Sequence, residues 1–221
     1  ATWAKEVHGF EPFGSTYELA EENIKLNKQV PLRGRYYNIK ERRTEHTTHK
    51  DDGWYKENGK FAPLDITGTI KTYCVGLGSK PGTFKMLEKP KNAGHNHVLA
   101  AGMKNTRYKE YDVLIRTLDS YQYDTVDFVK IDVEGYEWQV IQGSEQTIDK
   151  CRPTVQMEIV QAQCRKFGYV PQTVYDFFNK KGYEMFDYRG NNLGKTWHKL
   201  PGIMETFFVP KELAASVPKK N

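Results

Sequence analysis

The 221-residue sequence predicts an α/β domain with a mostly parallel sheet and an antiparallel end. Three observations carry that prediction. Short apolar runs alternate with helix-like stretches along most of the chain. One run, Phe128 to Val133, leads through Asp132, Glu134 and Gly135 directly into a helix-like stretch, Tyr136 to Gln142. Two strand-like segments near the end, 183–188 and 205–209, follow each other without a helix between them, as an antiparallel closure requires.

The elements follow in order. Val7 to Phe10 is a short strand that stops at Glu11-Pro12, because Pro12 has no N–H for a ladder and holds Glu11 extended. Ser15 or Thr16 is expected to cap a helix running to about Asn27, with Tyr17, Leu19, Ala20 and Ile24 on its inner face. Residues 28–65 are polar and read as an insertion with some local structure, since a bare loop of that length is unusual. A strand is expected over 66–75, followed by glycine-rich breaks and a short returning strand over 83–87. Residues 88–101 read as a loop rich in Gly, Asn and His. The next strand covers 111–116, and Thr117 is placed to cap a short helical turn. Thr154 to Val160 is a buried strand. Pro171 opens a helix that Gly182 stops, ahead of the closing strand pair.

Composition sets limits on function. Apolar residues at 38% and aromatics at 13% supply a real core and exclude disorder. No apolar stretch approaches the ~20 residues of a membrane span, and the N-terminus lacks the pattern of a signal peptide. Cys74, Cys151 and Cys164 are scattered, without metal-ligand spacing, which fits reduced thiols in a cytoplasmic protein. Between Lys25 and Lys50, eight Lys/Arg face two acids, a local excess above the whole-chain charge of +5. Such a segment steers anions, but no stripe of stacking aromatics accompanies it to indicate nucleic acid. His46 and His49 with Asp51 and Asp52 have metal-ligating chemistry, but no further ligand set joins them, and no metal is expected. Trp54, Tyr55 and Trp197 serve either core or lid packing or a sugar-stacking surface.

The chemistry concentrates at Asp132 and Glu134. Acids at the carboxyl end of a buried strand, beside a strand-to-helix turn, lie where open α/β sheets bind ligands. Two residues apart, they share one face if the strand stays extended. Paired carboxylates would raise each other's pKa unless polar or cationic groups meet them. The structural alternative is that one caps the following helix while the other is solvated.

The segments HGFEP, EENIKLN, CVGLGSKPGTFKM, IRTLDSY, DFVKIDVEGYEWQVIQGSEQTI, RPTVQMEI and KKGYEMF, in that order, resemble the FkbM-type methyltransferases from about Val7 to Val209. The resemblance implies a Rossmann-like class I fold, S-adenosylmethionine as cofactor, and methylation of a hydroxyl on a small-molecule or glycan-like acceptor. Glu11, with Pro12 beside it, matches the acid that hydrogen-bonds the cofactor ribose. Gly78 and Ser79 match the segment beside the adenine. Asp132 matches the acid near the methionine end and the methyl group, and Glu134 with Gly135 completes the signature. An alcohol acceptor needs a route for its proton, for which Asp132 and Glu134 are favoured by position. His95 and His97 come next, in a loop that could roof a cleft, and Glu158 is a further candidate.

The resemblance also implies a first strand and a glycine-rich turn ahead of HGFEP, which this sequence does not contain. The chain is therefore expected to be one N-terminally truncated domain over 1–221, its first strand missing. That departure leaves a rival reading open: a methyltransferase fold without catalysis, contacting anionic glycan or nucleic acid through residues 25–50.

Overall fold

The computed structural model of the chain describes residues 4–29, 35–38, 43–46, 56–57, 60–61, 69–88, 96–100, 108–194 and 203–218. They belong to two compact units, Ala1–Cys74 and Val75–Asn221. Of the expectations above, His95, His49, Asp51, Asp52, Trp54, Tyr55, Trp197 and the side chains of the basic segment beyond Lys25 lie outside the described residues.

The first unit contains β1 (Glu6–Phe10), α1 (Gly14–Gln29), β2 (Arg35–Asn38), β3 (Arg43–His46), β4 (Lys56–Glu57), β5 (Lys60–Phe61) and β6 (Thr69–Tyr73). β1 runs parallel to β6, with Phe10 opposite Tyr73. Their rings stack at 5.0 Å between centroids, and the Tyr73 hydroxyl lies 3.1 Å from His8 Nδ1. β2–β3 and β4–β5 are antiparallel hairpins within the expected insertion. The helix starts earlier than the Ser15 or Thr16 cap implied, because α1 already includes Gly14. Glu11 performs the turn-closing role: its Oε1 accepts the Phe13 N–H at 2.8 Å, while the Phe13 carbonyl accepts the Tyr17 N–H.

The second unit contains β7 (Gly76–Leu77), β8 (Gly82–Glu88), β9 (His97–Val98) and β10 (Lys109–Arg116) in one sheet of order β7–β10–β8–β9. A second sheet follows, built from β11 (Phe128–Ile131), β12 (Thr154–Val160), β13 (Tyr183–Phe186) and β14 (Ile203–Pro210), in the order β11–β12–β14–β13. The helices are α2 (Glu137–Gln142), α3 (Glu145–Cys151), α4 (Gln161–Lys166) and α5 (Pro171–Lys180). The architecture is mixed α/β. Parallel ladders join β1 to β6, β7 to β10 and β11 to β12, and β14 closes antiparallel between β12 and β13. The expectation of a mostly parallel sheet misses the antiparallel β8–β10 and β8–β9 pairs. The loop expected over 88–101 likewise holds a strand at His97–Val98, where the Met86 and Leu87 backbone offers a pairing edge.

Strand alternation sorts the second sheet into two faces. Ile131, Val155, Met157, Ile159 and Phe208 are buried in one core with Val140, Ile141, Ile148, Val174 and Phe178 from the helices. Phe128, Lys130 and Glu158 point the other way and are exposed. Two side chains tie the helices to their neighbours. Asp119, in the 3-10 turn Leu118–Tyr121, accepts the Thr147 N–H at 2.8 Å and the Gln146 N–H at 3.1 Å, capping α3 from a distant segment. Arg152 holds the end of α5: Nη1 donates to the Lys181 carbonyl at 2.5 Å and Nη2 to the Gly182 carbonyl at 3.2 Å. Its fork also grips both oxygens of Glu212 at 2.9 Å and stacks over Tyr183. Gly182 has the left-handed φ of +73° that ends α5, where the sequence placed the stop.

No helix among the described residues is long and apolar enough to cross a membrane. Also among the described residues, no group of three or more His, Cys, Asp or Glu side chains could hold a metal ion. Cys74, Cys151 and Cys164 are free.

Removing the clamp as Arg152→Ala is expected to cost about 1–2 kcal/mol in urea unfolding, because partly exposed ion pairs count little and the α5 carbonyls count more. The Arg152 fork holds the Glu212 carboxyl down at about 2, below its ordinary 4.5. A depressed carboxylate stabilises above its unfolded value and loses that contribution as pH falls through the folded one. Acid titration of unfolding is therefore expected to show an extra loss between about pH 4.5 and 2 in the native chain, absent in Arg152→Ala. Tyr183 is the opposite case: its buried hydroxyl has no hydrogen-bond partner among the described residues, and burial pushes its pKa up to about 12. Tyr183→Phe is expected to match or exceed native stability by up to about 1 kcal/mol; a clear loss would reveal a hidden partner.

Candidate functional site

β11 ends at Ile131, and the chain then turns through Asp132, Val133, Glu134 and Gly135 into α2. The turn is made by two successive left-handed residues, Glu134 at φ +55° and Gly135 at φ +105°. For Glu134 that conformation costs on the order of 1 kcal/mol, and such outliers collect at functional sites. Gly135 admits no side chain, since a Cβ there would lie 2.9 Å from Gln163 Cβ and 3.1 Å from Phe167 Cδ2. The turn is thus pressed against α4.

This geometry corrects the expectation that Asp132 and Glu134 share one face of an extended strand. The strand has ended, and the left-handed Glu134 breaks the alternation. Each carboxylate meets its own partner instead. Lys130 Nζ lies 3.2 Å from Asp132 Oδ2, with both side chains more than half exposed. Gln163 Nε2 donates to Glu134 Oε2 at 2.5 Å, from α4. The N-cap residue of α2, Tyr136, makes no side-chain cap bond.

Glu137 does the local work. Its Oε1 accepts the Gly135 N–H at 3.0 Å, and its Oε2 pairs with the Tyr169 hydroxyl at 2.8 Å. That hydroxyl is also 3.1 Å from the Gly135 carbonyl. Glu137 is only 2% exposed, and burial raises its pKa against the opposing pull of these hydrogen bonds. The sequence did not single out Glu137 or Tyr169. An acid at the first position of a helix is ordinary, and nothing in a sequence joins it to a tyrosine 32 residues away.

Asp132 also lines a cleft of about 200 Å³ with Lys130, Gln156, Met157, Glu158 and Glu205. The cleft opens on the face of the β11–β12–β14 sheet opposite the helical core, at the carboxyl end of the parallel pair. Gln156 donates to Glu205 across it. Glu158, a candidate from the sequence, is thereby brought beside Asp132.

Gly78 and Ser79 approach the same segment. A Cβ on Gly78 would meet Tyr136 Cε1 at 3.0 Å and Ile115 Cγ2 at 2.8 Å. One on Gly143, at the end of α2, would run into the Gly78 carbonyl. Two glycines therefore let the Gly78 backbone lie directly on α2. His97 is placed differently from the roofing loop the sequence allowed: it is buried in β9, opposite Leu87. Glu11 and Pro12 lie in the other unit, half-buried at the end of β1, where the Glu11 N–H extends the ladder to the Tyr73 carbonyl at 3.1 Å. Burial raises the Glu11 pKa, opposed by the Phe13 N–H.

No curated protein matches the chain. Among solved structures it resembles the methyltransferase FkbM from Methylobacillus flagellatus KT at 13% identity and a TM-score of 0.47. That alignment covers 92% of this chain and 36% of the other, so this chain spans about a third of that protein's length, and a likeness so distant carries no functional detail. Residues 1–185 match the family described as the methyltransferase FkbM domain. The match takes in the Glu11 turn, the Gly78–Gly143 contact and the whole Asp132–Glu137 segment, and the chain belongs to the FkbM methyltransferase domain family.

Proposed function

We propose that the chain is an S-adenosylmethionine-dependent O-methyltransferase of the Rossmann-like class I plan, acting on a hydroxyl of a small-molecule or glycan-like acceptor. The observation that carries this reading is the left-handed, acid-bearing Asp132–Gly135 turn at the carboxyl end of a parallel strand pair, where α/β sheets bind ligands. The antiparallel β14 at the C-terminal end and membership of the FkbM family support it. Three free cysteines fit a reducing, cytoplasmic setting.

The residues present have suitable chemistry for the cofactor. Glu11 is a half-buried carboxylate at a strand end, with acceptor capacity beyond the one bond it makes to Phe13, as a vicinal diol requires. Glu11 and Pro12 are assigned to the ribose. Gly78, packed on α2, and the exposed Ser79 after it are assigned to the adenine end, and Asp132 to the methionine end. When bound, S-adenosylmethionine supplies a methyl group on a sulfonium, open to in-line displacement by an oxygen.

The chain's part is to hold an acceptor hydroxyl and take its proton. Asp132 suits the proton, since its exposed pair with Lys130 contributes little to stability and leaves the carboxylate accessible. Glu134 is held by Gln163 and orients rather than moves. Glu158 and Glu205, across the cleft, present acceptor oxygens suited to the neighbouring hydroxyls of a polyol. His97, buried in β9, is assigned to packing.

Calorimetric titration with S-adenosylmethionine tests the cofactor assignment. Binding by the native chain is expected, with Glu11→Ala weakening it about tenfold or more, the cost of a lost buried acceptor. Binding unchanged by that substitution would remove Glu11 from the site. A screen of hydroxylated acceptors with labelled methyl donor tests the reaction. Asp132→Asn is expected to lower turnover about a hundredfold or more, well beyond its effect on cofactor affinity. Equal loss of both would make Asp132 a cofactor ligand only.

A further inference from the structure

A proton count around the signature turn leads past these assignments. Three close contacts form a ring: Gly135 N–H to Glu137 Oε1 at 3.0 Å, Glu137 Oε2 to the Tyr169 hydroxyl at 2.8 Å, and that hydroxyl to the Gly135 carbonyl at 3.1 Å. A tyrosine hydroxyl carries one proton, and two acceptors compete for it if Glu137 is ionised. The Gly135 carbonyl would then face a lone pair, or the carboxylate would. A neutral Glu137 resolves the conflict. Its own O–H donates to the Tyr169 oxygen, the Tyr169 O–H donates to the Gly135 carbonyl, and the Gly135 N–H donates to the remaining Glu137 oxygen. Within these three contacts each donor then has its own acceptor, and the ring closes.

We propose that Glu137 is a positioning residue, held as a neutral carboxylic acid in a closed ring with Tyr169 and Gly135, that fixes the left-handed Glu134–Gly135 turn and so aims Asp132 and Glu134. Its consequence for methyl transfer rests on the function proposed above; the ring itself does not.

The surroundings agree. Glu137 is 2% exposed, and burial of the charged form is the largest influence on its titration, which is shifted upward. The Val133, Gly135 and Glu137 backbone and the Tyr169 hydroxyl pull the other way, but none of them is cationic and burial outweighs them. The titratable groups facing it from α4 and the segment after it are Cys164, fully buried, and Tyr169; burial pushes both upward, so neither supplies charge at neutral pH. A carboxylate in this position would be desolvated without a counter-ion. Glutamine has the matching shape: its amide N–H replaces the acid proton and its carbonyl still accepts from Gly135.

Infrared difference spectroscopy of the full chain at neutral pH, native minus Glu137→Gln, reads the protonation directly. A protonated-carboxyl carbonyl band present in the native chain and lost in the variant is expected; its absence overturns the proposal. Urea unfolding across pH adds a second arm. An acid with a raised folded pKa contributes fully below its unfolded value of about 4.5 and loses that contribution as pH rises through the folded one. The native chain is expected to lose stability on that rise, while Glu137→Gln removes the dependence. Glu137→Gln as unstable as Glu137→Ala would overturn the proposal. For positioning, S-adenosylmethionine is the probe: Glu137→Gln is expected to bind within about twofold of native, and Glu137→Ala about tenfold more weakly. Equal binding by both variants would end the positioning role. No binding by the native chain would sink the methyl-donor reading instead, while the infrared band still decides the ring.

Discussion

Two successive residues with positive φ, Glu134 and Gly135, turn the chain from β11 into α2, and the candidate site depends on that reversal staying in place. Left to themselves they would relax. An L-residue in the left-handed region costs on the order of 1 kcal/mol, and a glycine has the most freedom to lose. Contacts from three directions offset this. Glu137 and Tyr169 hold the Gly135 peptide on both its N–H and its C=O side, Gln163 holds the Glu134 side chain, and α4 leaves no space at Gly135 for a Cβ. Because these contacts come from α2, α4 and the segment after α4, the turn is only as firm as the packing of those helices on the sheet.

That packing is one-sided in the β11–β12–β14–β13 sheet. The inner face holds Ile131, Val155, Met157 and Phe208 in the helical core, and alternation then forces Lys130, Gln156 and Glu158 to the other side. The polar cleft containing Asp132 follows from the register rather than from any separate device. Shifting β11 by one residue against β12 would bury Lys130 and destroy the core and the cleft together. Stability and site therefore share one constraint, read from opposite faces of the same strands.

Much of this was legible in the sequence, and the failures have identifiable physical causes. Thr154–Val160 and the helix opened by Pro171 and stopped before Gly182 fall where the sequence put them, because apolar pattern and punctuation agree there. Thr117 caps its 3-10 turn as expected, accepting the Ser120 N–H. Gly78 and Ser79 were flagged by resemblance, but the reason for the glycine, contact with Tyr136 and α2, needed coordinates. The acids at 132 and 134 were singled out by position, and their relation was misjudged, since alternation assumes an extended backbone and a left-handed residue cancels it. Strand pairing through β9 was missed because two residues of ladder leave no periodicity to detect.

The three acids of this segment show why composition cannot assign roles. Asp132, Glu134 and Glu137 lie within six positions and carry the same functional group, yet each meets a different medium. Asp132 is exposed beside Lys130, so its charge is solvated and its removal is cheap for the fold. Glu134 is partly buried and held by an amide donor, which neither neutralises it nor frees it. Glu137 is enclosed with a hydroxyl and a peptide, where burial works against its charge. Solvation alone separates them into an accessible carboxylate, a tethered one and an enclosed one. A site that must bring a carboxylate to an acceptor needs the first kind, and it needs the third kind to keep the first in position.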